Sequence, residues 1–408
     1  MKTLIKSVKI IDETSPYHLK IKDIFIENGK ILQIEDQLST DATKIINAAD
    51  LHISPAWFDA GVSFGEPGFE ERENIANGLK VAEKSGFSDI AITASNSPCT
   101  DSKSVFESLK EKSSKSKTKI HPTATLTKAL NGKDLAELYD LFQAGARVFS
   151  DDLQPIRNPN LLKLALQYTQ SFGGCVASFP LENKIANNAL VHESINSTKL
   201  GLKGMPSLAE TLQINRDLAI LAYTGGKLHI PLVSTAQGIE LIKAAKKKGL
   251  QVSCSVAVHH LYFDDEKILN FDADFKVFPP LRSKDDVKAL QKAVKDGVVD
   301  FVTSDHRPIN QELKEVDFVL AAHGSIGLES AFGALNKILG VELSVKMLTN
   351  GRKVYGLPEH KIDVNTKGKF TLFTSQDQYK FTLNHILSKS KNSIFLNEDL
   401  NGKVIDLI

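Results

Sequence analysis

The sequence predicts an α/β protein: a (β/α)8 barrel, or TIM barrel, over residues 53–343, with a small β-sandwich domain formed by both termini, residues 1–52 and 344–408. Three observations carry this. From Ile53 onward, short apolar runs alternate with amphipathic stretches eight times. The length of that segment, about 290 residues, suits a barrel of roughly 250 residues with some extended loops. No Gly-x-Gly-x-x-Gly follows the first run, which disfavours a doubly wound dinucleotide-binding sheet.

The elements follow in order. LIKSVKIID and DIFIENGKILQIED alternate apolar and polar residues around Glu27-Asn28-Gly29-Lys30, a hairpin turn signal. Expected barrel strands are ISPAWFDAG (53–61), FSDIAIT (87–93), KIHPTAT (119–125), ARVFS (146–150), GCVAS (174–178), KLHIPLV (227–233), LQVSCSV (250–256) and VDFVTS (299–304). Between them lie helical stretches such as ERENIANGLKVAEKSG, GKDLAELYDLFQAG, AQGIELIKAAKKKG and SKDDVKALQKAVKDG. Several end on Gly after a Lys-rich last turn, as helix C-termini prefer. KEKSSKSKTK (110–119) reads as a solvated link. From about residue 344 the β signals return, in FTLFTSQDQYKFTL and NGKVIDLI.

Composition narrows the function. The 408 residues carry 50 Lys+Arg against 49 Asp+Glu, a net charge of +1, without the basic excess of a nucleic-acid binder. Cys99, Cys175 and Cys254 are odd in number and widely spaced. They form neither a disulfide framework nor a Cys-x-x-Cys pair, which suits a reducing, cytoplasmic setting. The N-terminal segment reads as neither signal peptide nor anchor, and nowhere do 18 apolar residues run together, so no membrane span is expected. There is no Gly-x-Ser-x-Gly elbow and no P-loop. Eleven histidines would suffice for a metal site, so their positions decide the matter.

Active sites of such barrels lie at the C-terminal ends of the strands. There the chain reads DAGVSFGEPGFEERENIANGLK, FSDD (149–152), GMPSLAETLQINRDLAI (204–220), LHIPLVSTAQGIELIKAAK (228–246), VHHL (258–261), FKVFPPLRSKDD (275–286), TSDHRP (303–308) and HGSIGLES (323–330). In order and spacing these resemble the dihydroorotases, cyclic-amide hydrolases of the amidohydrolase superfamily in pyrimidine biosynthesis. The resemblance implies a metallo-dependent hydrolase-like barrel. It also implies a divalent metal, usually zinc, that lowers the pKa of a bound water.

The positions that would hold that metal depart from the pattern. The family's His-x-His aligns with Gly61 and Ser63, its histidine after strand five with Ser178, and its histidine after strand six with Leu232. Gly offers no donor, and a lone hydroxyl is a poor zinc ligand. The carboxylates are present: Asp151 and Asp152 after strand four, and Asp305 after strand eight, which in the family also carries a proton. Substrate positions differ in parallel. The family's carboxylate-binding arginine aligns with Gly65, its asparagines with Ser95 and Phe278, and its last histidine with Ile309. No metal is therefore expected.

Without metal, Asp151, Asp152 and Asp305 would face one another in a cup, where like charges raise pKa values unless a cation intervenes. Arg307 is the expected cation. Leu232 and Phe278 are expected to fill space that metal and substrate would use. His229 should point outward towards a helix, His121 sits mid-strand, His259-His260 reads as a structural pair, and His306 either as a residue supporting the site from behind Asp305 or as backbone-bonded. The resemblance implies two functions. One is a catalytically inactive dihydroorotase-like protein, a structural or regulatory partner such as those that assemble with aspartate carbamoyltransferase, within a homo- or hetero-oligomer. The other is an active dihydroorotase or related cyclic-amide hydrolase with an altered site, interconverting dihydroorotate and N-carbamoyl-aspartate.

Overall fold

The structure, a computed structural model, describes residues 2–408. Strands β1 (Lys2–Ile10), β2 (Ile21–Glu27), β3 (Lys30–Glu35), β4 (Lys44–Ile46) and β5 (Leu51–Pro55) open the chain. Asn28 and Gly29 turn β2 into β3 with φ of 50° and 75°, the left-handed pair that a type I′ hairpin requires. The expected strand 53–61 divides at Ala56. Its first part joins the outer sheet as β5, and Trp57–Val62 becomes the first barrel strand, β6.

The barrel continues with β7 (Phe87–Ile92), β8 (Lys119–Pro122), β9 (Val148–Ser150) and β10 (Cys175–Ala177). A short ribbon of β11 (Val191–His192) and β12 (Gly204–Met205) precedes β13 (Leu228–Ile230), β14 (Val252–Ala257) and β15 (Phe301–Thr303). Ladder pairing is parallel within two arcs, β6-β7-β8 and β9-β10-β13-β14-β15. Parallel bridges Ala124–Phe149 and Val62–His306 join the arcs at both seams, so eight strands form a ring. Leu228, Ile230, Val252 and Cys254 face outward into the main core, among Leu162, Ile214, Ile239 and Leu290 from the surrounding helices.

Those helices are α1 (Ile75–Lys84), α2 (Lys103–Glu111), α3 (Leu138–Ala144), α4 (Pro159–Gln170), α5 (Asn183–Ala186), α6 (Ile195–Leu200), α7 (Leu208–Thr224), α8 (Ala236–Lys247), α9 (Val258–Tyr262), α10 (Lys284–Lys295), α11 (Gln311–Lys314), α12 (Leu328–Leu339), α13 (Val341–Thr349) and α14 (Gly351–Val354). Local chemistry sets their starts. Thr235 caps α8, and Ser283 with Asp286 forms a capping box on α10. Among the described residues no helix is long and apolar enough to cross a membrane.

The β signals expected from about residue 344 begin later, at β16 (Phe370–Lys380), followed by β17 (Asp399–Leu407). Residues near 344 are helical because Ser344, Val345, Met347 and Leu348 share one buried face, packed on β6 and β15. β16 pairs with β5 and β17, giving a sheet ordered β17-β16-β5-β1-β2-β3 with β4 beside β1. A bridge between Lys30 and Lys367 returns the far edge towards β16, so the sheet folds over one interior of Ile5, Ile10, Ile24, Ile31, Ile53, Phe370 and Leu372.

Candidate functional site

Asp59, in β6, ties the first strand to the last. Its fully buried carboxylate accepts from Thr303 Oγ1 at 2.5 Å, Ser304 N at 2.9 Å and Gly61 N at 2.9 Å. Burial pushes its pKa up, and these donors oppose the shift. Gly61 lies at the cavity wall. A Cβ there would collide with Thr303 Oγ1, which its bond to Asp59 holds in place.

Above this layer one guanidinium joins two carboxylates. Arg307 Nε donates to Asp305 Oδ1 at 2.7 Å. Its Nη2 and Nη1 donate to Asp152 Oδ1 and Oδ2 at 2.7 and 3.1 Å, and Ser95 Oγ adds a bond to Asp152 Oδ2 at 2.5 Å. Burial drives the Asp152 pKa up, but Arg307 outweighs it and holds the carboxyl below the usual range. Burial raises that of Asp305, with Arg307 opposing and the like charge of Asp152 adding to it. Burial alone would lower the Arg307 pKa, but the two carboxylates overcome it and hold the guanidinium charged. The cation expected at 307 is therefore in contact with both acids.

The remaining expected positions divide. Asp151 does not face the cup. Its carboxylate turns back to accept from Leu126 N and Thr127 N at 2.9 Å and Thr127 Oγ1 at 2.5 Å, pinning the loop after β8. Ser178 also points away, donating to Asp217 Oδ2 at 2.6 Å. Ser63 is a backbone contact, its N donating to His306 O at 2.8 Å. Leu232 lines the cavity and clusters with Phe179, Met205 and Ala257. Phe278 packs beside it, its ring 5.6 Å from that of Phe179. Gly65 has φ +85°, and a Cβ would meet Phe69 O at 2.5 Å, so no arginine fits there. Ile309 is buried away from the cavity, its N bonded to Asn392 Oδ1 at 3.1 Å.

His229 corrects the outward orientation expected for it. It points into the barrel, between Ser253 Oγ at 2.9 Å and Ser255 Oγ at 3.2 Å, stacked on Phe301. Counting alternation back from Leu232 fails because β13 ends at Ile230 and Leu232 has φ +54°. Asp152 and Asp305 share that left-handed conformation, with φ of 54° and 47°. Three non-glycine residues so placed around one cavity mark constrained strand ends.

His121 is half-buried and bonds Asp89 Oδ1 at 2.8 Å. His259 is buried against His260, whose Nε2 lies 3.1 and 3.2 Å from the carbonyls of Pro279 and Pro280. His306 Nδ1 accepts from Gly327 N and Leu328 N. Sequence reasoning missed the cavity floor, where Tyr355 packs on Phe58 and its hydroxyl lies 3.4 Å from Thr123 Oγ1. It also missed Thr93, whose buried hydroxyl has no partner among the described residues. The cavity, partly open to solvent, measures about 60 Å³, room for a few waters and far below an ordinary small-molecule pocket of about 300 Å³ or more.

Residues 52–238 match the family model described as Dihydro-orotase-like. A dihydroorotase of Pelotomaculum thermopropionicum is 34% identical over 409 residues, covering 98% of this chain and 96% of that protein. The chain belongs to the dihydroorotase-like family. A dihydroorotase of Ruminiclostridium cellulolyticum is 33% identical, with 97% and 94% covered. Among solved structures, the L-hydantoinase (dihydropyrimidinase) of Arthrobacter aurescens superposes with a TM-score of 0.86 at 20% identity, covering 100% of this chain and 94% of that one. The fold is the TIM-barrel amidohydrolase fold.

The donor set does not fit the zinc implied by resemblance to dihydroorotases. Gly61 and Leu232 supply no donor atom. Asp151 and Ser178 are committed elsewhere, and Asp152 and Asp305 already share a guanidinium. Among the described residues no three His, Cys, Asp or Glu side chains are placed to hold a metal ion. What the arrangement provides instead is a charge-compensated mouth joining the ends of β9 and β15.

Proposed function

We propose that this dihydroorotase-like protein does not perform metal-dependent hydrolysis. It serves pyrimidine biosynthesis as a structural or regulatory partner, foremost of aspartate carbamoyltransferase, inside a homo- or hetero-oligomer. The observation supporting the absence of metal-dependent hydrolysis is the Arg307 guanidinium shared between Asp152 and Asp305; the partner role rests on the resemblance alone. A divalent cation entering there would have to displace a largely buried arginine and separate it from two charge-assisted bonds. It would gain only two carboxylates in return. A hydrolytic water would then have no activating ion, and the small cavity leaves no room for a cyclic amide beside it.

The test is metal analysis of protein purified without chelator, with dihydroorotate ring opening and closure assayed with and without added zinc. Sub-stoichiometric metal and no turnover are expected. For the partner role, the chain should co-purify with aspartate carbamoyltransferase and alter its assembly or activity. A solitary protein with no effect on that enzyme rejects the role.

A second reading is favoured by one observation: the full-length relatives at 33–34% identity are named dihydroorotases. On this reading the chain hydrolyses dihydroorotate to N-carbamoyl-aspartate through an altered site. Stoichiometric zinc together with turnover decides for it.

A further inference from the structure

We propose that the cleft between helices α1 and α12 and the β16–β17 hairpin is a binding site for a small anion with an apolar body. The inference does not depend on whether the barrel turns over substrate.

The cleft measures about 210 Å³ and is partly open to solvent, where two helices around the barrel meet the closing hairpin of the outer sheet. Its wall is apolar: Leu328 and Phe332 on α12, Leu387 after β16, and Val404 on β17. Ordinary small-molecule pockets start near 300 Å³, so this one suits a body of a single ring or a short chain.

The polar groups around that wall are donors. Lys84 stands in the last turn of α1, and Lys403 on β17 holds its Nζ 5.0 Å from the centre of the Tyr379 ring. Among the described residues neither ammonium has an ion-pair partner, and the Tyr379 hydroxyl makes no hydrogen bond. Tyr379 packs on His385 with ring centres 5.0 Å apart. His385 Nδ1 accepts from Thr382 N at 3.1 Å. A backbone N–H can only donate, so Nδ1 supplies the lone pair and Nε2 carries the proton. That N–H is the fourth donor.

The one carboxylate in the lining does not answer them. Glu329 Oε1 accepts from Ser388 N at 3.0 Å and Ser388 Oγ at 2.6 Å, and its Oε2 is shielded from solvent. Burial raises its pKa, with Ser388 opposing, which limits the negative charge set against an incoming anion.

Gly333 keeps the space open. It stands mid-helix in α12, where glycine weakens the helix. A Cβ there would lie 3.0 Å from Tyr379 Oη and 3.1 Å from Leu400 Cβ, so a side chain would press on the hydroxyl. Two ammonium groups, an imidazole N–H and a phenol O–H beside an apolar wall recognise a carboxylate or a phosphate monoester. A cationic ligand would face both lysines, and an uncharged one would use neither charge.

Benzoate and phenyl phosphate are the probes, with benzamide as the uncharged counterpart and inorganic phosphate as the anion without a body. Calorimetric titration of the full chain should give a Kd of about 1 mM or tighter for at least one aryl anion, with benzamide and inorganic phosphate about tenfold weaker or worse. Whichever aryl anion binds tighter identifies the source as a carboxylate or a phosphate ester. Hydrogen exchange should show protection confined to residues 328–333, 379–387 and 402–404. Lys403→Glu should weaken binding about tenfold or more, with unchanged circular dichroism. His385→Phe, which keeps the ring and removes the donor, should weaken it about threefold. No binding of either aryl anion at about 10 mM overturns the proposal. So do equal binding of benzamide or of inorganic phosphate, protection at the barrel mouth around Arg307 instead, and indifference to Lys403→Glu.

Discussion

Arg307 grips the Asp152 carboxylate through two parallel hydrogen bonds, 2.7 and 3.1 Å long, across the mouth of the barrel. The same guanidinium reaches Asp305 through Nε, so three charged groups largely out of water depend on one side chain.

Removing that cation leaves two carboxylates facing each other without compensation. Arg307→Met should destabilise the protein by about 3–5 kcal/mol in urea denaturation, the usual cost of breaking a buried ion pair from one side. Arg307→Lys should recover only part of this, because an ammonium cannot form the parallel pair. A loss below about 1 kcal/mol for Arg307→Met would mean that the contact is solvated.

Gly61 faces Thr303 Oγ1 too closely for any side chain. Gly61→Ala should cost about 1–3 kcal/mol by overpacking. In a Thr303→Ala background the same change should cost much less, although the background itself loses a bond to Asp59. A double-mutant cycle measures the coupling; additive effects would place the strain elsewhere.

Asp151 and Asp152 are neighbours with different work. Asp151→Ala removes three hydrogen bonds and should cost about 2–4 kcal/mol, with faster amide exchange at Leu126 and Thr127. Asp152→Asn should leave that exchange unchanged, while weakening the hold on Arg307.

Acid should unfold the protein through its buried imidazoles. Burial lowers the pKa of His229 and of His259 to about 3, from 6.5 when exposed, and nearby Lys246 and Arg307 add to the respective shifts. Each is neutral when folded and takes up a proton on unfolding, so its contribution is present above pH 6.5 and lost as pH falls towards 3. Stability should decline across that window by about 1.4 kcal/mol per pH unit per histidine. His229→Gln should flatten the slope by one proton; an unchanged slope would show that His229 is not buried neutral.

The eight barrel strands were legible because each is a short apolar run between breakers, and each occurs where such a run stands. The departure from the family's ligand pattern is a matter of residue type alone: Gly61 and Leu232 have no donor atom to offer. Orientation was not legible. Whether Asp151 or Asp152 faces the cup turns on a single left-handed residue, and the inward face of His229 on where β13 stops. Tyr355 was invisible because it reaches the cavity floor from the segment after α14, outside every strand end that the sequence marks. The pairing of Glu210 with Arg282, 3.8 Å apart and buried, likewise joins the segments AETLQ and PPLRS through space alone.

The left-handed backbone at Asp152, Leu232 and Asp305 has a consequence for how this barrel changes. Leucine derives no benefit from φ +54°; the barrel imposes that angle on it. At 232 the loop is thus set by the barrel rather than by its side chain, unlike at 152 and 305, whose carboxylates are tied to Arg307. A new side chain at 232 would inherit a finished loop, so exchanging the chemistry there asks for substitution without refolding.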